Sequence, residues 1–163
     1  MSVTVLAVNL VTGVVLPIVA VAALVAINGV FVAAEFSLVA SRRSRISALA
    51  NDGNRGARWL LGVFDRPTGK DSYIAVAQLG ITLASIGLGM YGEPAIAHWL
   101  YDPFESLGLS EGAAHTVGFL AALSIITYLH VVLGEMIPKA LALSEPEGTS
   151  LRVNRVMRAF SLL

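Results

Sequence analysis

Three long stretches without Asp, Glu, Lys or Arg constrain this chain more strongly than any other feature of its sequence. They run from Met1 to Ala34, from Tyr73 to Met90 and from Ala113 to Leu133. A helix needs about 20 mostly apolar residues to cross a bilayer. Only 13% of all residues are charged, whereas soluble domains contain about 25%. The sequence therefore predicts an all-α integral membrane protein with three transmembrane helices, in one domain covering residues 1–163.

The basic residues indicate how these helices are oriented. Every Lys and Arg lies either between Arg42 and Lys70 or between Lys139 and Arg158. An excess of Lys and Arg is typical of cytoplasmic segments beside membrane spans. We therefore expect an N-terminus outside the cell, a cytoplasmic C-terminus and a multi-pass location in the plasma or inner membrane.

Both basic segments are typical of juxtamembrane amphipathic helices. Ser41 to Lys70 carries one apolar stripe that is interrupted near Asn51–Asn54, which predicts a helical hairpin at the membrane interface. Thr149 to Leu163 is basic and amphipathic and ends without a helix breaker, so we expect a longer protein whose remainder is cytoplasmic. The lipid bilayer is the expected partner of the arginines. No nucleic acid is expected, because basic loops beside spans are common.

Prolines and acidic residues predict where the membrane helices begin and end. Pro17 predicts a first helix from about Leu16 to Ala40. Glu93 and Pro94 mark the predicted outer boundary of the second helix. A short acidic link, Asp102 to Gly112, then makes the second and third helices antiparallel neighbours.

The most informative motif is Leu133-Gly-Glu-Met-Ile-Pro-Lys139, at the inner end of the third stretch. An intramembrane carboxylate such as that of Glu135 usually faces a partner or an ion pathway. Pro138 has no N–H for the carbonyl of Gly134, so we expect that oxygen to be free. The two groups would form a pair of hard oxygen ligands suited to Mg²⁺ or Ca²⁺. The alternative is an ordinary helix end, with Pro138 as the stop and Lys139 neutralising the helix dipole.

Further polar side chains lie near the inner ends of the predicted helices. Asn28 and Glu35 are two turns apart and share a face. For Glu35, ion binding and an ion pair with Arg42 both stay open, and for Asn28 the alternative is an interhelical hydrogen bond. His130 lies about 100° or more from Glu135 on an α-helical wheel, so we interpret it as a packing or hydrogen-bonded histidine.

The second helix carries a polar stripe formed by Gln78, Thr82 and Ser85, at i, i+4 and i+7. Their oxygens are acceptable ligands for a hard cation, and hydrogen bonds to neighbouring helices are the alternative. The chain has no cysteine, which excludes a thiolate metal site. No nucleophile–base arrangement is present, so no enzyme activity is expected.

Three segments, in order, resemble one family. They are Asn28-Gly-Val-Phe-Val-Ala-Ala-Glu-Phe-Ser-Leu-Val-Ala-Ser-Arg-Arg-Ser-Arg, Gln78-Leu-Gly-Ile-Thr-Leu-Ala-Ser-Ile-Gly-Leu-Gly and Gly134-Glu-Met-Ile-Pro-Lys139. The chain resembles the transmembrane domain of the CNNM/CorB/CorC magnesium transporters, which are also described as hemolysin-like. The resemblance covers about residues 20–163.

The resemblance implies a homodimer of three-span subunits with a cytoplasmic helical belt. A pair of CBS domains and a small C-terminal domain would follow in the full protein and are absent from this sequence. It also implies Mg²⁺ export from a cavity open to the cytoplasm, with exchange for Na⁺ as the candidate coupling. The alternative is a membrane-embedded Mg²⁺ sensor or adaptor that carries no ions itself.

The resemblance also implies roles for individual residues. The ion-binding carboxylate is that of Glu135, and Gly134 offers its carbonyl. Candidates for the other ligands are Ser37, Gln78, Thr82 and Ser85, while coupling or structural roles fall to Glu35, Asn28, Lys139 and Pro138.

Overall fold

Helices account for almost all of residues 11–161, which are the residues that the computed structural model describes, and no strand occurs among them. The predicted all-helical fold is thus confirmed. The stretch before residue 11 and the last two residues, which the sequence analysis included in its first and last segments, lie outside the described part. In order, the α-helices are α1 (Leu16–Ala40), α2 (Arg43–Asn51), α3 (Arg55–Asp65), α4 (Gly69–Gly87), α5 (Glu93–Ser106), α6 (Glu111–Leu129), α7 (Ile137–Ser144) and α8 (Pro146–Phe160).

Three continuous helical segments are long and apolar enough to cross a membrane, as predicted. The first span is Val11–Ala40, the second is Gly69–Ser106 and the third is Glu111–Ser144. The first span is central, because α1 packs against α4, α7 and α8, while α5 packs against α6 at the other end of the molecule. The predicted start of the first helix near Leu16 was wrong, because the span is already helical from Val11, but its end at Ala40 is as predicted.

The second and third spans are longer than the sequence predicted. The second helix does not end near Pro94 but continues to Ser106, so the expected link Asp102–Gly112 contracts to residues 107–110. The third helix likewise continues past Pro138 to Ser144. The predicted boundary near Pro94 was wrong, because it assumed that proline stops an α-helix. For Pro138 the helix stop was one of two interpretations.

In each span a π-helical turn immediately precedes the α-helix that carries the proline. The turns are Val11–Val15, Leu88–Gly92 and His130–Met136, and each is followed by an α-helix whose second residue is proline, namely Pro17, Pro94 or Pro138. Local π geometry is one way in which a membrane helix accommodates the carbonyl that a proline leaves without its usual N–H partner. The helix therefore continues where an α-helix would break.

Side chains from other spans donate to two of the carbonyls that lie four residues before these prolines. The indole Nε1 of Trp99 donates to the Gly13 carbonyl at 3.0 Å. The amide Nδ2 of Asn28 donates to the Gly134 carbonyl, also at 3.0 Å. An unpaired backbone carbonyl in lipid is costly, so these bonds stabilise both the π-helical turns and the packing between spans.

Close packing between the spans depends on glycine. A Cβ added at Gly80 would lie 2.5 Å from the ring of Phe31, and one added at Gly118 would lie 2.8 Å from the ring of Tyr101. Each aromatic ring therefore lies directly on the backbone of a neighbouring helix, as small residues permit in membrane proteins.

The predicted amphipathic hairpin is present as α2 and α3. Arg43 and Asp65 join the two helices in an ion pair of 2.7 Å. Helix α8 begins at Pro146, slightly before the predicted Thr149, and its Asn154 donates to the carbonyl of Gly56 in α3 at 3.0 Å. These three amphipathic helices form a layer at one end of the spans, and their buried side chains, among them Ile46, Leu60 and Met157, share a core with the first span.

Candidate cation site

The third π-helical turn brings together two residues that an α-helix would separate. His130 and Glu135 are five positions apart, and the π-helical segment His130–Met136 aligns residues with that spacing. The Nε2 atom of His130 lies 3.7 Å from Oε1 of Glu135, and the Ser85 hydroxyl lies 3.4 Å from the same Nε2. The prediction that His130 points away from Glu135 was therefore wrong, because it assumed 3.6 residues per turn throughout.

The Gly134 carbonyl lies beside this cluster but is not free, contrary to the sequence-based expectation. Asn28 approaches it from the first span and donates a hydrogen bond of 3.0 Å. A carbonyl oxygen has two lone pairs, so the bond from Asn28 uses only one of them. The alternative in which Pro138 is an ordinary helix stop is excluded, since α7 continues to Ser144.

Asn28 has an unusual environment. The side chain is fully buried, its Nδ2 donates to Gly134, and its Oδ1 has no hydrogen-bond partner in the described structure. An unpaired buried amide oxygen is unfavourable. Asn28 therefore makes the interhelical hydrogen bond that was the alternative considered from the sequence. Its Oδ1 is a buried oxygen near Gly134 that accepts no hydrogen bond from the described residues.

Replacing Asn28 by Leu should weaken the packing of the first span on the third. We expect the free energy of unfolding in detergent to fall by about 1 kcal/mol, because interhelical hydrogen bonds in membranes contribute about that much. Thermal denaturation measures the effect. In a Pro138→Ala background the same substitution should cost less, because the alanine backbone would supply an N–H to the Gly134 carbonyl. Equal costs in both backgrounds would show that this hydrogen bond is not what Asn28 contributes.

Gly29 determines how closely the first span approaches the segment Leu133–Lys139 of the third span. A Cβ added there would lie 2.9 Å from Cγ of Pro138, 3.6 Å from the Leu133 carbonyl and 3.8 Å from the Gly134 carbonyl. Glycine thus lets the backbone of α1 lie against the proline ring. This contact places Asn28, the preceding residue, within reach of Gly134.

No Lys or Arg side chain pairs with the two acids near the site in residues 11–161. The Lys139 ammonium lies over the ring of Phe36, 4.4 Å from its centroid. Neither Glu35 nor Glu135 forms an ion pair with Lys or Arg within that range. The Glu35–Arg42 pair considered from the sequence is therefore not formed, and His130 is the one basic side chain near the Glu135 carboxylate in the part described.

A second polar pair lies closer to the inner end of the spans. Nε2 of Gln78 is 3.4 Å from Oε1 of Glu35. Glu35 lies seven residues beyond Asn28, about 10 Å along the helix at 1.5 Å per residue. Thr82, between the two levels, donates to the carbonyl of Gln78 in its own helix at 2.9 Å. The predicted polar stripe on the second helix therefore serves two separate clusters, because Gln78 contacts Glu35 and Ser85 contacts His130.

Ser37 belongs to another cluster. Its hydroxyl accepts a hydrogen bond of 2.9 Å from Ser150 in α8, and Ser41 lies 3.2 Å from the same Ser150 hydroxyl. Ser37 is nine residues from Asn28, about 13 Å along α1. Its described contacts attach α8 to the first span and do not connect it to Glu135.

The groups around Glu135 define what the site can bind. Among residues 11–161 no three His, Asp, Glu or Cys side chains form a metal-binding cluster, so a cation here would have few anionic ligands. Carboxylate, carbonyl, amide and hydroxyl oxygens are available, together with one imidazole nitrogen. Sequence reasoning missed His130, although its spacing of eight residues before Pro138 would have pointed to it had a π-helical turn been anticipated.

Comparison with known proteins gives a consistent result. A family model described as "Cyclin M transmembrane N-terminal domain" (CNNM) matches residues 18–163. The UPF0053 protein YhdT of Bacillus subtilis is 45% identical over 140 residues, covering 86% of this chain. The UPF0053 protein YhdP of the same organism is 41% identical over 80% of the chain. An uncharacterized protein of Mycobacterium tuberculosis, Rv1841c, is 39% identical over 78% of it.

The chain spans about a third of the length of these relatives. The matched part is 30% of YhdT, 29% of YhdP and 35% of Rv1841c. The similarity therefore concerns a membrane domain, and most of each relative lies outside the matched region.

Proposed function

The chain belongs to the cyclin M transmembrane N-terminal domain (CNNM) family, and on this basis we propose that it moves Mg²⁺ across the cell membrane through a site centred on Glu135. Proteins of this family are membrane transporters or regulators and not enzymes. The transport direction we propose is export from the cytoplasm, with Na⁺ as the counter-ion.

The observation that carries this proposal is a carboxylate inside a span without a Lys or Arg partner in residues 11–161. A charged group at such a position is expensive unless it faces a counter-charge or water. Lys139 would be the natural partner by sequence, but its ammonium lies on the Phe36 ring. A divalent cation supplies the missing counter-charge.

The residues around Glu135 fit a magnesium ion that keeps part of its water. Mg²⁺ prefers oxygen ligands in octahedral geometry and gives up water reluctantly, so it binds through one or two carboxylates and several waters. Glu135 supplies the charge, the second lone pair of the Gly134 carbonyl supplies a neutral oxygen, and Ser85 lies across the cluster on the second span. Asn28 orients the Gly134 carbonyl by its hydrogen bond.

The polar face that includes this site is open in the single chain. The side chain of Glu135 is 46% exposed, and Gln78 and Thr82 are exposed as well. Polar groups at membrane depth face a water-filled cavity or a protein neighbour and not lipid. We propose that a second copy of the chain covers this face and that the homodimer leaves a cavity open to the cytoplasm, where Glu35 and Gln78 lie on the path to Glu135.

A flux measurement tests the proposed function directly. The purified protein is reconstituted in liposomes loaded with a Mg²⁺-sensitive dye, and Mg²⁺ movement is compared with that of protein-free liposomes, with and without a Na⁺ gradient. We expect protein-dependent Mg²⁺ flux that the Na⁺ gradient accelerates. Mg²⁺ binding without any flux would contradict transport and favour the Mg²⁺ sensor, and flux without acceleration by Na⁺ would contradict the coupling.

A further inference from the structure

Nε2 of His130 is in contact with two oxygen atoms at distances that are long for hydrogen bonds. Oε1 of Glu135 is 3.7 Å away and Oγ of Ser85 is 3.4 Å away. N–H···O hydrogen bonds are normally about 2.7–3.2 Å long. His130 and Glu135 belong to one π-helical segment of the third span and Ser85 to the second span, so the three atoms converge without bonding strongly to one another.

The separation of 3.4 Å between Nε2 of His130 and Oγ of Ser85 equals that between two ligands of a tetrahedral metal ion, and the separation of 3.7 Å between Nε2 and Oε1 of Glu135 is somewhat longer. Two ligand atoms at about 2.1 Å from a tetrahedral centre lie about 3.4 Å apart. Neighbouring ligands of octahedral Mg²⁺, also at about 2.1 Å, lie about 3.0 Å apart. The wider spacing around His130 therefore suits a smaller number of ligands that include an imidazole nitrogen.

Imidazole also changes the class of metal that a site prefers. Oxygen ligands suit Mg²⁺ and Ca²⁺, whereas imidazole suits Zn²⁺, Ni²⁺ and Cu²⁺, which bind nitrogen far more strongly than Mg²⁺ does. We propose that His130 is a specificity-determining residue, which together with Glu135 and Ser85 gives the site affinity for a borderline divalent metal of the Zn²⁺ type. This inference rests on the proposed cation site at Glu135.

The surroundings hold the imidazole ring in position. The side chain of His130 is 19% exposed. A Cβ added at Gly134 would lie 3.1 Å from Cδ2 of the ring and 3.2 Å from Nδ2 of Asn28. The ring therefore lies against the glycine backbone beside Asn28, whose buried Oδ1 has no partner in the described structure. The nitrogen ligand, the carboxylate and this unpaired oxygen all lie around the same two residues, Gly134 and Glu135.

Separate Zn²⁺ and Mg²⁺ titrations of the purified protein test the inference. We expect the wild type to bind Zn²⁺ more tightly than Mg²⁺. His130→Gln should lower the Zn²⁺ affinity by about 100-fold or more, because loss of a group that only orients a ligand already costs about 10- to 100-fold. The Mg²⁺ affinity should change less, so the ratio of Zn²⁺ to Mg²⁺ affinity should fall. X-ray absorption on the Zn²⁺ complex should show a nitrogen ligand at about 2.0–2.1 Å that the variant loses.

His98→Gln is the matched control, because it removes an exposed imidazole from α5, outside the site. It should leave the Zn²⁺ to Mg²⁺ ratio unchanged. An unchanged ratio of Zn²⁺ to Mg²⁺ affinity in His130→Gln would overturn the inference. If both affinities fell by the same factor, the role of His130 would be purely structural, and if neither fell, His130 would not bind the metal. Mg²⁺ flux is measured on the same preparations. If Zn²⁺ binding depended on His130 but no Mg²⁺ flux occurred, the transport proposal would be wrong and the metal site at His130 would still be supported.

Discussion

Replacing Glu135 by Gln should abolish Mg²⁺ transport while leaving the protein folded. The substitution keeps the size and one oxygen of the side chain but removes its charge. Loss of a group that only orients a metal ligand lowers metal affinity about 10- to 100-fold. Loss of the charged ligand itself should therefore reduce Mg²⁺ affinity by about 100-fold or more. Liposome flux measures transport, and calorimetric titration measures binding.

Glu111→Gln is the control for this experiment. Glu111 lies in the first turn of α6, in the same span and at its outer end, so the variant removes an identical charge far from the motif. It should retain the wild-type flux. Because the Glu135 carboxylate has no Lys or Arg partner in residues 11–161, and its contact with His130 is 3.7 Å long with the side chain 46% exposed, its neutralisation should change the melting temperature little. Wild-type flux in a well-folded Glu135→Gln protein would contradict the proposed site.

Much of the architecture could be predicted because it follows from hydrophobicity and charge. The absence of charge over about 20 residues specifies a membrane helix regardless of its neighbours. The end of the first helix at Ala40 was predicted, and the break between α2 and α3 followed from the polar residues Asn51–Asn54. These features depend on local sequence alone, so a single chain is sufficient to identify them.

The continuation of the helices past Pro94 and Pro138 could not be predicted in the same way. Whether a proline ends a helix depends on whether another group satisfies the carbonyl that it leaves unpaired. For Gly134 that group is Asn28, which lies 106 positions away in the chain. The donor belongs to another span, so local rules predict a helix end where tertiary structure permits continuation.

The same limitation affected the candidate site. Glu135 was identified because an intramembrane acid is conspicuous in any sequence. His130 was rejected because an α-helical wheel separates it from Glu135, and the π-helical turn that reverses this conclusion has no signature in composition. Ser37 was included through resemblance, but its hydroxyl bonds to Ser150 of α8. Of the residues predicted from the sequence, Glu135 and Ser85 both lie beside His130, whereas Ser37 lies in another cluster, and their roles in ion binding stay predictions.

Replacing Gly29 by Val should separate the first and third spans and disrupt the site without touching any proposed ligand. The new Cβ would lie 2.9 Å from the Pro138 ring, and a proline ring cannot move aside as a flexible side chain would. Overpacking of this kind typically costs about 1–3 kcal/mol. We expect a matching loss of unfolding free energy in detergent and a loss of Mg²⁺ binding, because the shift also carries Asn28 away from the Gly134 carbonyl.

Gly62→Val provides the comparison, since Gly62 lies inside the α-helix α3 and has no atom within 4 Å of an added Cβ. Both substitutions change intrinsic helix propensity in the same way, so the difference between them isolates the contact with Pro138. If the two variants were equally stable and bound Mg²⁺ equally well, the approach of α1 to the proline would not be what assembles the site. A defect confined to Gly29→Val would instead show that a glycine outside the metal's reach determines whether the oxygens around Glu135 converge.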